Sequence, residues 1–185
     1  MTFESASTGS RRVRVVQTAA AAPLLPEIRQ LVVDAFEGEF SDADWEHTLG
    51  GWHVVASDGD VVVSHAAVVP RTIWVVDNSF QAGYIEGVAT RRERQREGLG
   101  SLVMAEVARV VRSTFELGVL STARWAFYER CGWERWQGPT SVRDGSQLIR
   151  TDDDDDGIMV LRFGASASID VTAPISCERR PGDDW

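Results

Sequence analysis

Residues 91–100 read Arg-Arg-Glu-Arg-Gln-Arg-Glu-Gly-Leu-Gly, a basic, glycine-bearing stretch in a chain that is acidic elsewhere. Glycines at Gly98 and Gly100 let backbone N–H groups face outward with no Cβ in the way. If a helix opens there, its N-terminus adds partial positive charge. Together with Arg91, Arg92, Arg94 and Arg96 this makes a site for a pyrophosphate. A bare glycine-x-glycine is equally an ordinary connection with solvated arginines, so the flanking elements decide. Two further groups could move protons. Glu86 lies just upstream, and Tyr128 lies in Ala126-Phe127-Tyr128-Glu129-Arg130. A carboxylate can draw a proton from an incoming nucleophile, and a phenol can return one to a leaving group. Their bland alternatives are a solvent-facing strand charge and a core tyrosine.

The elements that must position these groups follow from periodicity. Arg12 to Thr18 alternates as a first strand. Pro26 can open a helix carrying Ile28, Leu31, Val32, Ala35 and Phe36 on one face, closed by Gly38. Ser41 can cap a short helix that stops at Gly50-Gly51. His53 to Ser57, the turn pair Asp58-Gly59 and Val61 to Val69 predict a hairpin, with Pro70 interrupting. Thr72 to Val76 and Phe80 to Thr90 predict a second. Helical spacing then places Leu99, Leu102, Val103, Val107, Val110, Val111 and Phe115 on one long helix. Short strands are predicted at Val119 to Thr122, from Trp133 and at Ile158 to Phe163, with a helical turn at Arg124 to Arg130. From Cys177 the chain reads as a polar tail. Antiparallel strands followed by strand, loop, helix and strand is an α+β arrangement around a mixed, mostly antiparallel sheet flanked by helices.

The 185 residues suit one domain, expected over 11–185 after a flexible leader at 1–10. With 43% hydrophobic residues the chain should pack a core rather than stay disordered. A net charge of −9 disfavours nucleic acid and anionic membrane as partners and suits a cationic ligand. Met1 to Ser10 has no apolar signal-peptide region, and no apolar run is long enough to span a bilayer, so a cytoplasmic location is expected. Cys131 reads as a buried thiol at a helix end. Cys131 and Cys177 are far apart, with no metal-ligand spacing and no neighbouring base, so no metal and no covalent acyl-enzyme are expected. His47, His53 and His65 read as structural.

With a strand before it and a helix after it, Gln95-Arg96-Glu97-Gly98-Leu99-Gly100 resembles the acetyl-CoA loop of the GNAT superfamily. The resemblance implies a GNAT fold and acetyl-CoA as cosubstrate. It implies that the backbone from Gln95 and Arg96 through Glu97, Gly98 and Leu99 to Gly100 holds the pyrophosphate. Val88, Ala89 and Thr90 would then pair with the pantetheine arm like an added strand. Acetyl transfer needs a deprotonated amine, a donor to the thioester oxyanion and an acid for the thiolate. Glu86, the Val88 amide and Tyr128 are the candidates for these three tasks.

A closer resemblance covers nearly the whole chain. Ala35-Phe36-Glu37-Gly38-Glu39-Phe40, Asp44-Trp45-Glu46-His47-Thr48-Leu49-Gly50-Gly51, Gly83-Tyr84-Ile85-Glu86, Gly138-Pro139-Thr140-Ser141 and Gly182-Asp183-Asp184-Trp185 are similar to the actinobacterial aminoglycoside 2′-N-acetyltransferases. That resemblance implies substrate contacts from Glu39, Asp44, Glu86, Gly87, Ser121, Asp183 and the carboxylate of Trp185. Within the run Asp152 to Asp156 the choice falls on Asp154 and Asp155; the run is otherwise a solvated acidic loop. It also implies Glu86 as water-mediated base, Tyr128 as acid, and a homodimer. Two alternatives stay open: the same chemistry on another polyamine or amino-sugar metabolite, and a non-catalytic module that binds CoA or aminoglycoside.

Overall fold

The computed structural model describes residues 3–8 and 11–185, and its contacts group into two compact units. The first comprises Met1–Val69 and Ile85–Arg109, the second Pro70–Tyr84 and Val110–Trp185. Of the expected flexible leader, Met1, Thr2, Gly9 and Ser10 lie outside the described residues. Between them, Phe3–Thr8 forms strand β1, antiparallel to β2 (Arg11–Gln17). A strand edge pairs through main-chain groups alone, so composition gives no warning of such an addition.

In the first unit, β2 turns into the short helix α1 (Thr18–Ala21) and then α2 (Leu25–Ala35). Pro26 sits in the first turn of α2, where its missing N–H costs no helical bond. The apolar stripe of α2, Ile28, Leu31 and Val32, packs with Val55, Val62 and Ala89 in one buried cluster. Gly38, at φ +87°, closes the helix by donating its N–H to Val33 O. Ser41 and Asp44 form a reciprocal capping box at the start of α3 (Asp42–His47). β3 (Trp52–Asp58) pairs antiparallel with β2 and with β4 (Val61–Val75) across Gly59-Asp60. Pro70 does not interrupt β4. The rungs to β3 end at Val68, so Pro70 lies beyond them at an exposed position where that neighbour needs no N–H.

β5 (Asn78–Thr90) follows after a left-handed Val76, and α4 (Leu99–Thr114) after a 3-10 turn. α4 buries Leu99, Val103, Met104, Val107, Ala108, Val110 and Val111. Leu102, expected on that face, is 43% exposed. Steps of 100° carry it well off a stripe centred between Val103 and Val107.

In the second unit, the early part of β5 pairs in parallel with β6 (Leu117–Ser121), from Ala82↔Leu117 to Tyr84↔Val119. After α5 (Trp125–Arg130), the short β7 (Glu134–Arg135) adds to β10 (Ile158–Leu161), which itself lies antiparallel to β6. Gly118 accepts the Trp133 indole on its bare backbone: a Cβ there would come within 2.9 Å of the ring. Two elements were not foreseen. β8 (Thr140–Asp144) and β9 (Gln147–Arg150) form a hairpin turning at Gly145. β11 (Ile175–Glu178) inserts between β4 and β8, so the chain through Cys177 is sheet and not tail. Cys177 is therefore the buried thiol, and Cys131, expected to be buried, is only half-buried. Among the described residues, β5 with β6 and β11 with β8 are parallel, while β1–β2, β2–β3, β3–β4, β4–β11, β6–β10, β7–β10 and β8–β9 are antiparallel, the mixed, mostly antiparallel α+β sheet that was expected.

A polar column runs through the interior of the first unit. His53 and His65 are fully buried, and His53 Nδ1 lies 2.9 Å from His65 Nε2. His65 Nδ1 lies 2.9 Å from Gly87 O, and His53 Nε2 lies 3.1 Å from Thr18 Oγ1. Burial pushes His53 down to about 4 and His65 to about 3, the second helped by charge on its neighbour. Both rings are neutral in the fold, whereas in the unfolded chain each titrates near the ordinary 6.5. The stability they carry is complete above pH 6.5. It is lost as pH falls from there toward their folded values, because the unfolded chain binds protons first. Urea denaturation should show the fold weaker at pH 5.5 than at 7.5 by on the order of 2 kcal/mol from this pair. Replacing both histidines by asparagine should flatten that slope.

Candidate active site

β5 ends at Thr90, and the chain turns at once into the basic loop. Arg96 and Gly98 both take left-handed backbone, at φ +66° and +80°, which bends the segment into the start of α4. The first helical bond there runs from Leu102 N to Gly98 O, so geometry gives the amides of Leu99, Gly100 and Ser101 no partner within the helix. Those amides and the helix dipole suit a pyrophosphate. The arginines contribute less to that than their number suggests. Arg91 donates to Val62 O and pairs with Glu27, and Arg92 pairs with Glu37. Arg94 bridges Asp58 and Glu97, and Arg11 reaches the same Glu97. These hydrogen bonds, first among them that from Arg94, hold the Glu97 carboxyl below its usual range. Arg96 makes no ion pair among the described residues. Three of the four loop arginines thus shape the loop, and the attraction for phosphate falls on backbone and Arg96. The preceding strand is fixed from inside: the Ser64 hydroxyl lies 2.8 Å from both Ala89 O and Thr90 Oγ1.

Glu86, Gly87 and Val88 follow one another on β5, past its last rung with β6 at Tyr84. Glu86 is half-buried, with Oε1 shielded from solvent. Gly87 has φ +56°, and a Cβ on it would meet Thr48 Cγ2 at 3.1 Å, so both conformation and space require glycine. In the same unit Glu39 is exposed after α2. The Asp44 carboxylate accepts from Ser41 N and Oγ, both at 2.8 Å, and so holds the start of α3.

Tyr128 belongs to the second unit. It is buried in α5, its ring edge-to-face with that of Phe127, centroids 4.9 Å apart. Burial foremost, then charge at Cys131, pushes its hydroxyl up to about 12 against the pull of Arg124. It therefore carries its proton at any working pH. Ser121 is exposed at the end of β6, beside Ile158.

The five aspartates divide by partner. Asp155 accepts from Arg150 Nη1 at 2.7 Å, from Thr140 N at 2.8 Å and from Thr140 Oγ1 at 2.9 Å. These bonds, the arginine's above all, bring it down to about 2 and commit it to tying its loop to β8 and β9. Asp154 behaves oppositely. Partial burial raises its pKa first, and the charges of Asp183, Asp153 and Asp184 raise it further, against a hydrogen bond with Thr151. Asp154 and Asp183 thus belong to one anionic patch.

The last residues are folded down. Trp185 is 6% exposed, with its indole N–H donating to Thr151 Oγ1 at 3.2 Å. Arg71 donates to Asp184 O at 2.8 Å and Glu178 O at 2.9 Å, with its guanidinium 4.7 Å above the Tyr84 ring. Arg180 donates to Asp183 O at 2.7 Å. Asp183 itself stays exposed. Sequence reasoning missed Arg71 and Tyr84 as anchors, since more than a hundred residues separate Arg71 from Asp184. Cys177 sits under the same segment, its thiol pushed up to about 11 by burial, which makes it unreactive.

The chain matches the acetyltransferase (GNAT) domain family over residues 19–136. A curated aminoglycoside 2′-N-acetyltransferase of Mycolicibacterium fortuitum is 45% identical over 162 residues, covering 85% of this chain and 83% of that protein. Among solved structures, a GNAT-family N-acetyltransferase of Escherichia coli in complex with CoA superposes with a TM-score of 0.65 at 19% identity, over 94% of this chain and 92% of that one. A GCN5-related N-acetyltransferase of Kribbella flavida gives 0.57 at 22% identity over 69% of this chain, which spans only 34% of that longer one. The two structures speak for the fold. Together with the domain match and the 45% identical relative, the glycine loop at the head of α4 makes this chain a member of the GNAT acetyltransferases, in the family of the aminoglycoside 2′-N-acetyltransferases.

Proposed function

We propose that this enzyme transfers the acetyl group of acetyl-CoA to the 2′-amine of an aminoglycoside, as a homodimer in the cytoplasm. The observation that carries the substrate class is Asp154, whose carboxylate is crowded by the charges of Asp183, Asp153 and Asp184. Like charges held together in a partly buried place favour a cation, and of these four Asp184 is already met by Arg179 at 3.8 Å. One screened ion pair is worth about 0–1 kcal/mol, so a ligand with several ammonium groups is what such a patch can hold. Glu39 and Ser121, both exposed, would add contacts. Asp44 and Asp155 act first as structural anchors and would reach a ligand only with the lone pairs left to them. Among the described residues there is no group of three potential metal ligands, and no helix is long and apolar enough to cross a membrane.

The chemistry then follows from charge. The acceptor amine arrives as an ammonium and must lose a proton before it has a lone pair. Glu86 takes that proton through water. The Val88 N–H donates to the oxygen of the thioester as it becomes an oxyanion. Tyr128, kept protonated by burial, supplies the proton to the departing sulfur. The amides of Leu99 and Gly100 with Arg96 hold the pyrophosphate of the cosubstrate, and Val88, Ala89 and Thr90 align its pantetheine arm.

Acetyl-CoA consumption with a panel of amines tests this directly. Tobramycin and kanamycin B, which carry a 2′-amine, should be acetylated there, as located by fragment-ion mass spectrometry. Kanamycin A, with a 2′-hydroxyl, should be a poor acceptor. Rapid turnover of spermidine in place of the drugs would assign the site to a polyamine metabolite, and no turnover with any amine would make the chain a binding module. Glu86→Gln should lower kcat by about 10²–10⁴-fold, the range for loss of a general base; an unchanged kcat/KM across pH would remove Glu86 from that role. Deleting Asp183, Asp184 and Trp185 should raise the aminoglycoside KM by about 10–100-fold, on the order of 1.4–2.8 kcal/mol, while the acetyl-CoA KM stays put. Equal KM values for both forms at low and high salt would show that the patch does not hold the acceptor.

A further inference from the structure

We infer that His65, itself held by His53 and Thr18, is the positioning residue for the peptide unit between Gly87 and Val88, and that it turns and polarises the Val88 N–H as a donor. The inference rests on the reading of Val88 as the oxyanion donor, and extends it to two buried histidines with no part in the chemistry described above.

The direction of the two bonds the histidine N–H groups make is forced from one end. A carbonyl oxygen only accepts, so the 2.9 Å contact to Gly87 O requires a proton on His65 Nδ1. In a neutral ring His65 Nε2 is then an acceptor, and the proton of the next 2.9 Å contact must sit on His53 Nδ1. His53 Nε2 is left as acceptor for the Thr18 hydroxyl at 3.1 Å. The one proton of that hydroxyl is shared between His53 Nε2 and Gly51 O at 3.2 Å, and the oxygen accepts from Gly50 N–H at 3.1 Å, so its position is fixed from both sides. Both imidazole N–H groups therefore point toward Gly87. Hydrogen bonds in series in a dry interior strengthen one another.

Their target is what gives the column a role. The Gly87 carbonyl and the Val88 N–H belong to one planar unit, and in a trans peptide they point in opposite directions. A donor fixed on the oxygen therefore aims the N–H away from the histidine and draws electrons from the nitrogen, making that N–H a better donor. Gly87, at φ +56° with no side chain, could not hold this plane alone. Its backbone lies against the ring: a Cβ there would stand 3.7 Å from His65 Cε1. A histidine pair that merely filled the core would need its polar atoms satisfied, but not by the one peptide that follows Glu86.

Three measurements test this. In wild-type enzyme with ¹⁵N-labelled histidine, NMR should place the proton of both His65 and His53 on Nδ1. A proton on His65 Nε2 overturns the inference, and no variant is needed. In the acetyl-CoA complex without acceptor, the infrared band of a ¹³C-labelled acetyl carbonyl should move to lower frequency on binding. His65→Phe should lose most of that shift and about 10-fold or more in kcat, less than the 10²–10³-fold of deleting such a donor outright. Its acetyl-CoA affinity should stay within about 3-fold of wild type, a difference of under 1 kcal/mol. His65→Asn, whose amide N–H can stand where Nδ1–H stood, should regain much of both. A wild-type complex with no shift overturns the Val88 reading and the inference with it. A full shift and full kcat in folded His65→Phe overturn the inference alone and leave Val88 as the donor.

Discussion

With 28 acidic side chains against 19 basic ones, much of this structure turns on which carboxylates the arginines reach. In the first unit Glu27, Glu37, Asp58 and Glu97 take up Arg91, Arg92 and Arg94 of the glycine loop and its neighbour Arg11. In the second, Arg162 holds Glu134 and Arg150 holds Asp155. Exposed pairs of this kind add little stability one by one. Their effect is geometric: they fix the loop that opens α4 and the loop that bears the aspartates. Asp154 and Asp183 lie outside these pairings, and it is there that the surplus negative charge gathers.

Burial acts on the other side of the chemistry with one rule and two outcomes. Removing water disfavours whichever form of a group is charged. For His53 and His65 that form is the cation, so the rings stay neutral and each presents one donor and one acceptor. For Tyr128 it is the phenolate, so the hydroxyl keeps its proton. An apolar environment thus keeps the imidazoles neutral in one place, where Gly87 O then decides which nitrogen holds the proton, and keeps a phenol protonated in the other.

Local grammar made part of this visible in the sequence. The glycine loop stands out because strand, basic loop and helix follow each other without a gap, and Ser41 and Gly38 mark helix ends by residue type alone. What stayed hidden depends on distant partners. β1 and β11 are strands because an edge was waiting for them, not because of their own pattern. The β8–β9 hairpin had a local sign in Asp144-Gly145, overlooked beside the aspartate run. The loop arginines look like a phosphate site until Glu27, Glu37 and Asp58 arrive from elsewhere in the chain. No spacing rule joins His53 to His65 and Gly87, since strand pairing brings them together. Asp154 and Asp155 are indistinguishable in a run of five identical residues; only the reach of Arg150 separates them.

The anchoring of the last residues has a consequence for how such an enzyme can evolve. Arg71 and Arg180 grip Asp184, Glu178 and Asp183 through main-chain oxygens. The clamp does not read which side chain position 183 or 178 carries. Substitutions at those positions can therefore redraw the charge pattern on the surface without loosening the segment that displays it. Trp185 and Arg71 are under the opposite rule, because the indole and the guanidinium are the clamp. Surface charge is thus free to drift on a frame that stays put, and sequence variation at 183 should run ahead of variation at 185.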